Sequence, residues 1–243
     1  MILQDHGLDP VHYYSLPGLS GDAALKYSSV NLDLITDIDM YQMIERGLRG
    51  GVSMISHRYA EATAQQSLIY LDANSLYAWA MSQPLPVCNF EWADTDVDVM
   101  LVADDADHGY ILEVDLEYPA HLHDLHNYYP LAPEKMFITQ DMLSSFQQEN
   151  FPNARGCEKL VPNIRDINKY VLHYRNLKLY LQLGTRLTKI HRVLKFNQAP
   201  WLKSYIDFSI VKRKAATQAG DKVGKDLYKL MCNAVFEKTC ENE

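Results

Sequence analysis

Nine residues near the middle of the chain, Tyr110-Ile-Leu-Glu-Val-Asp-Leu-Glu-Tyr118, alternate apolar and acidic side chains almost without a fault, and Pro119 closes the run. Successive side chains of a strand point to opposite faces. The pattern therefore predicts a β-strand with Leu112, Val114 and Leu116 inward and Glu113, Asp115 and Glu117 outward. Three like charges on one face beside a proline suit an edge strand guarded against aggregation better than a nuclease centre. Strands are also expected at 52–59 and 67–72, with a further one at 169–173. Helices are expected at 38–48, 76–81 and about 221–236. Leu16-Pro-Gly-Leu-Ser-Gly-Asp22 is rich in helix breakers and sets off a short N-terminal piece. Beyond Pro133 the pattern turns mainly helical. Strands followed by helices give an α+β core with a helical appendage.

Charge divides the chain more sharply than its total of -8 suggests. Residues 1–154 hold 5 Lys+Arg against 23 Asp+Glu, a net of -18, whereas residues 155–229 hold 17 against 5, a net of +12. Aromatic residues, including Tyr170, Tyr180, Trp201 and Tyr205, are interleaved with the basic ones. A surface that follows a phosphate backbone needs this combination, and so does an ordinary solvated basic face. No apolar run approaches the roughly 18 residues of a membrane span. The N-terminus has neither a basic n-region nor an apolar h-region, which leads us to expect an intracellular protein or a piece whose true start lies upstream. Cys88, Cys157, Cys232 and Cys240 form no C-x-x-C pair and are expected to be buried thiols, not disulfide or zinc ligands.

The last helix can be tested by angle. At about 100° per residue, Lys222, Lys225, Lys229, Asn233 and Phe236 fall in one stripe about 80° wide, with Val223, Leu227, Leu230, Met231 and Ala234 on the opposite side. Stacked lysines repel one another by a few tenths of a kcal/mol per pair, roughly, unless an anion covers them. A polyphosphate is such an anion; bulk solvent is the alternative. Gly224 costs this helix about 1 kcal/mol.

A second constellation is Asp72-Ala-Asn-Ser-Leu-Tyr77, a carboxylate at an expected strand end followed by a turn and a short helix. An Asp so placed either holds a divalent cation beside phosphate-binding amides or caps the helix. Three other patterns are weaker. Gly220-Asp-Lys-Val-Gly224-Lys225 is one residue short of a P-loop, and His121, His123 and His126 read as a polar loop without metal-ligand spacing. Asp94-Thr95-Asp96 sits in an acidic, turn-like stretch.

Together these residues resemble the family B DNA polymerases, and specifically the protein-primed branch of self-synthesising Maverick/Polinton transposons and related viruses. Tyr70-Leu-Asp72-Ala-Asn-Ser-Leu-Tyr77 is similar to the palm motif D-x-x-S-L-Y-P, with Ala78 in place of proline. Lys229-Leu-Met-Cys-Asn233-Ala-Val-Phe236 is similar to the fingers motif K-x-x-x-N-S-x-Y-G, with Ala234, Phe236 and Glu237 departing from it. Segments beginning at Tyr170 and Lys189 look like the region that links these motifs. Leu48-Arg-Gly-Gly51 resembles the Y-x-G-G segment joining exonuclease and polymerase domains.

The resemblance implies a partial right-hand polymerase of α+β class: an exonuclease tail or linker over 1–45, the first part of the palm over 46–120, a mostly helical linking region over 121–200, and fingers over 201–243. It implies two-metal Mg²⁺ catalysis with Asp72 and the Ala73 carbonyl as ligands, and dNTP contacts from Ala73, Ser75, Leu76, Tyr77, Lys225, Lys229 and Asn233. Phe236, Arg49, Gly50 and Gly51 would meet the nascent base pair or template. Implied partners are template-primer DNA, dNTP and a terminal protein primer, with no membrane, at a nuclear or viral replication site. The family's second catalytic carboxylate, in a D-T-D hairpin after the fingers, has no counterpart here, since Asp94-Thr95-Asp96 precedes them. This chain alone is expected to be inactive, and a non-catalytic DNA- or nucleotide-binding relic is the alternative.

Overall fold

The computed structural model describes residues 2–57, 59–153 and 155–241. In chain order the elements are α1 (Ile2–His6), α2 (Leu16–Ser28), α3 (Ile38–Gly47), α4 (Leu76–Met81), β1 (Leu85–Ala93), β2 (His108–Glu117), α5 (His123–His126), β3 (Glu134–Ile138), α6 (Ser145–Asn150), β4 (Cys157–Val161), β5 (Ile167–His173), α7 (Tyr174–Gln182), β6 (Arg186–Ala199), α8 (Lys203–Gln218) and α9 (Lys222–Thr239). The class is α+β, as expected. Four strands form an antiparallel sheet in the order β1-β6-β2-β5, and β3 pairs with β4 in a separate two-stranded ribbon.

The alternating strand is β2, and its apolar side is inward as read: Leu112, Val114 and Leu116 pack with Tyr170, Tyr174 and Leu177 of β5 and α7. Its expected place at an edge is wrong. β2 lies between β5 and β6, and Glu113 is only 4% exposed. The opposite face of the sheet is covered by α3 through Met40 and Met43, against Val171 and Leu194. There Glu113 accepts hydrogen bonds from Arg192 Nε at 2.8 Å and meets Arg46 NH1 at 3.1 Å. Burial alone would raise its pKa, but the Arg192 hydrogen bonds and the two guanidinium charges hold it below the usual carboxylate range. A pattern of acidic residues specifies a second face but not whether arginines from other elements cover it.

The segment 121–200, expected to be mostly helical, is built chiefly of the four strands β3–β6. In β6 the apolar residues fall at Leu187, Ile190, Val193, Leu194 and Phe196, a spacing that imitates a helix. Register shifts in the β2–β6 ladder absorb the offset as bulges: Leu116 pairs with Leu187 and Val114 with Ile190.

The expected strands at 52–59 and 67–72 carry no ladder among the described residues; Arg58 lies outside them. A turn closed between Thr63 and Gln66 joins the two stretches, yet Ile69, Tyr70 and Leu71 are 76%, 94% and 85% exposed. Strand propensity is a fit to a pleated surface, and no neighbouring strand provides one here.

The breaker-rich stretch at 16–22 opens α2 instead of interrupting the chain. Ser15 caps the helix by accepting from Gly18 N at 3.3 Å, and Pro17 lies in the first turn, where its missing N–H has no intrahelical role. Ala23 and Ala24 pack with Ala78 and Met81 of α4, Tyr205 and Ile206 of α8, and Met231 and Val235 of α9. The N-terminal helices thus back the last two helices, and Asp5 fastens them. Its carboxylate takes hydrogen bonds from Lys212 Nζ (2.6 Å) and the Tyr228 hydroxyl.

All four cysteines are free, but only Cys232 is buried, which corrects the expectation for the others. Among the described residues no helix is long and apolar enough to cross a membrane.

Candidate functional site

The two ends of the candidate site meet through α4 and α9. Ser75, in the left-handed region at φ 54°, turns the chain into α4, whose Ala78 and Met81 are buried against α8 and α9. That docking brings the Tyr77 ring onto Phe236 of α9, with centroids 4.6 Å apart and planes 23° from parallel. Asp221 caps α9 by accepting from Gly224 N at 3.0 Å. An added Cβ at Gly224 would collide first with the capping Asp221 carboxylate, 3.1 Å from its Cγ, and would lie 3.3 Å from the Ala216 methyl of α8, so the cap and then the helix packing account for its local cost.

Lys222, Lys225, Lys229, Asn233 and Phe236 are all exposed, as the angular reading requires. The buried face is rotated from the one expected: Gly224, Tyr228, Met231, Cys232, Ala234 and Val235 are inside, while Val223 and Leu230 are exposed. The helix is covered from two sides, by α2 and α8, and the buried arc follows those neighbours instead of the most hydrophobic side chains.

A groove runs along this helix. Its inner end, about 30 Å³, is lined by Ser75, Arg213, Lys229 and Asn233 among others, and its outer part, about 520 Å³, by Ser75, Arg213, Lys214, Thr217 and Lys225. No carboxylate lines either part. Four cations therefore converge on Ser75 with no anion among them, which favours a polyanionic occupant. Arg213 and Lys214 were not singled out by sequence reasoning. The run Lys212-Arg213-Lys214 was visible in the basic segment, but only the packing of α8 on α9 turns two of its members toward the lysines of α9. Lys212 instead goes to Asp5.

Asp72 and Ala73 lie in an exposed loop before Ser75. Among the described residues no group of three or more His, Cys, Asp or Glu side chains could hold a metal ion. Asp72 and the Ala73 carbonyl would thus supply only part of a two-metal centre. Asp94-Thr95-Asp96 is an exposed turn after β1. His123 and His126 both engage Tyr118, at its carbonyl (3.1 Å) and hydroxyl (2.7 Å), in keeping with a polar loop.

Arg49 stands elsewhere, between α3 and β5. Its NH1 donates to Val171 O at 2.7 Å and Gly47 O at 3.1 Å, and its guanidinium lies 3.8 Å above the Tyr170 ring. Gly50 and Gly51 are exposed, and a Cβ at either would meet nothing within 4 Å.

Beside Arg49, burial depresses the His173 imidazole to about 4, and His6 is also lowered by burial. A histidine that is harder to protonate folded than unfolded leaves stability complete above about pH 6.5 and removes it as the pH falls toward 4. For His173 the loss is up to about 3 kcal/mol. Urea midpoints measured from pH 7 to 4.5 should fall, and His173→Gln should flatten most of that slope. An unchanged slope would show that the imidazole is not held neutral. Asp5, Asp104, Glu113 and Asp115 are held below their ordinary values, so their contributions are lost only at more acidic pH.

Comparison with known proteins specifies the class to which this arrangement of sheet, ribbon and basic groove belongs. The sequence profile of DNA polymerase type B, organellar and viral, matches residues 23–238, and the chain belongs to that family. No curated protein matches it. Among solved structures, the orthorhombic crystal form of phi29 DNA polymerase shares the fold with a TM-score of 0.59 at 18% identity, covering 99% of this chain and 38% of that one. Phi29 DNA polymerase with primer-template DNA gives 0.57, again at 18% identity and with coverages of 99% and 38%. Its ternary complex with primer-template DNA and incoming nucleotides gives 0.56 at 18%, covering 97% and 37%. The chain thus spans little more than a third of the polymerases it matches.

Proposed function

We propose that this chain is the nucleotide-handling part of a protein-primed family B DNA polymerase of the Maverick/Polinton type, working in template-directed transfer of a nucleotide from dNTP to a primer 3′-hydroxyl. The observation that carries this reading is the convergence of Ser75 with Arg213, Lys214, Lys225 and Lys229 in a groove without carboxylates. Arg213, Lys225 and Lys229 neutralise the triphosphate, aided by the Ser75 and Leu76 amides. Tyr77 supports the sugar and selects against a 2′-hydroxyl, and Asn233 and Phe236 face the nascent pair. The Tyr77–Phe236 stack supports these two roles by holding the two rings together. Asp72 and the Ala73 carbonyl would hold divalent Mg²⁺ in part, and the ion would supply charge stabilisation to the transferred phosphate. Template-primer DNA and a terminal protein primer complete the proposed partners.

Titration of the chain with a fluorescent dNTP analogue at low ionic strength tests the reading. Saturable binding displaced by unlabelled dNTP and by pyrophosphate, but not by the nucleoside, is expected. Salt-dependent DNA binding indifferent to dNTP would overturn it in favour of a non-catalytic DNA-binding module.

A further inference from the structure

A carboxylate from the far end of the sequence joins the two helices that form the basic groove. Asp5 of α1 accepts from Lys212 Nζ of α8 at 2.6 Å through Oδ1 and from the Tyr228 hydroxyl of α9 through Oδ2. These partners stand next in sequence to Arg213 and Lys229, and Tyr228 lines the inner end of the groove together with both. Asp5 itself lines neither part of the groove.

A carboxylate can brace two helices only if its own element is fixed, and α1 is. His6 is 7% exposed and packs against the rings of Tyr27, Tyr205 and Phe208, and Lys26 Nζ of α2 donates to Gly7 O at 3.0 Å. Burial alone would raise the Asp5 pKa, but the bonds from Lys212 and Tyr228 hold it below the usual carboxylate range, so the group is ionised at neutral pH. Charge-assisted hydrogen bonds are short and directional, so two helices that share one carboxylate cannot slide past each other without losing a bond. The apolar cluster of Ala23, Tyr205, Ile206, Met231 and Val235 supplies attraction between the same elements, yet packed apolar helices shear by small displacements. Lys212 is also kept on this side of α8 by the Phe208 ring, 5.3 Å from its Nζ, while Arg213 and Lys214 line the groove.

We infer that Asp5 is a positioning residue for nucleotide binding: by holding Lys212 and Tyr228 on one carboxylate it sets the offset of α8 against α9, and with it the spacing of Arg213 and Lys229 across the groove. It acts through those two residues and touches no phosphate. The inference rests on the proposed function and extends it to a residue outside the polymerase-like motifs.

Asp5→Asn separates this role from simple electrostatics, because the two predict opposite signs. Removing a negative charge and releasing Lys212 makes the surroundings of the groove more positive, which by itself would tighten the binding of an anion. Loss of the brace should weaken it. Titration of the whole chain with the fluorescent dNTP analogue, well below the unfolding midpoint of each variant, is expected to show affinity reduced by roughly fivefold or more. In an Arg213→Ala background the same substitution should change affinity by less than about twofold, since no pair of cations is left to be spaced. A general loosening of the fold would instead weaken binding equally in both backgrounds. Tyr228→Phe keeps the ring and removes only the hydroxyl that reaches Asp5, so it should show part of the loss, and it decides the matter alone if Asp5→Asn does not fold. Unchanged or tighter binding by Asp5→Asn, an equal loss in the Arg213→Ala background, or full affinity in Tyr228→Phe where that variant alone decides would overturn the inference while leaving the nucleotide groove in place. Absence of dNTP binding by the unmodified chain would overturn the groove reading, and the role of Asp5 with it.

Discussion

Removing the Arg213 and Lys229 side chains together is expected to weaken dNTP binding by roughly two to four orders of magnitude. Hydrogen bonds to a charged partner contribute about 1.5–3 kcal/mol each, so each alanine variant alone should lose roughly 10- to 150-fold. Both residues line the inner end of the groove, one from α8 and one from α9. Neither belongs to the apolar cluster that joins those helices, which rests on Tyr205, Ile206, Met231 and Val235. The double variant should therefore keep its thermal stability while losing the ligand, a combination that unfolding cannot imitate. Isothermal titration in 50 mM and 200 mM salt is the measurement. A loss smaller than threefold at low salt would show that the triphosphate does not lie between the two helices.

The second large effect is on the fold. Phe196→Ala is expected to destabilise the protein by about 3–5 kcal/mol, a large share of the about 5–15 kcal/mol that holds a typical domain together. Phe196 is fully buried in β6 and packs against Phe90 of β1 and His173 of β5. Its ring also fills the space left by Gly109 on β2. A Cβ there would come within 2.7 Å of Phe196 Cε2 and 2.6 Å of Gln198 Oε1. Gln198 cannot move cheaply, because its amide donates to Ala106 O and to the Tyr174 hydroxyl. Gly109→Ala should thus cost about 1–3 kcal/mol by overpacking. Combined with Phe196→Ala it should cost less than the sum, since the ring that obstructs the methyl is gone. Urea unfolding of the two single variants and the double tests the coupling; strict additivity would mean that the two positions do not share the space.

These expectations depend to different degrees on what could be read without coordinates. The helices at 38–48, 76–81 and 221–236 carried their own signals, and each formed within a residue or three of its expected bounds. The strand at 110–118 was equally clear, because strict alternation has no other regular solution. The exposed stripe Lys222, Lys225, Lys229, Asn233 and Phe236 followed from helical geometry alone.

Whatever required a second element was not legible. Glu113 alternated like its neighbours Asp115 and Glu117, and only Arg46 from α3 and Arg192 from β6 make it a buried ion pair. Leu68 to Leu71 read as strand, yet a strand exists only with a partner, and none of the described residues supplies one. The apolar spacing of β6 resembled a helix because its bulges can be seen only against β2. Arg213 and Lys214 were three letters in a basic run until α8 crossed α9.

Local periodicity, capping and charge distribution are properties of adjacent residues, and through them the sequence by itself determined the helices, the central strand, the basic stripe and the likeness to family B polymerases. Burial, strand pairing and convergence of charge depend on residues distant along the chain. The tertiary structure alone therefore decided the interior position of β2, the backing of α8 and α9 by the N-terminal helices, and the meeting of Ser75 with four cations in one groove.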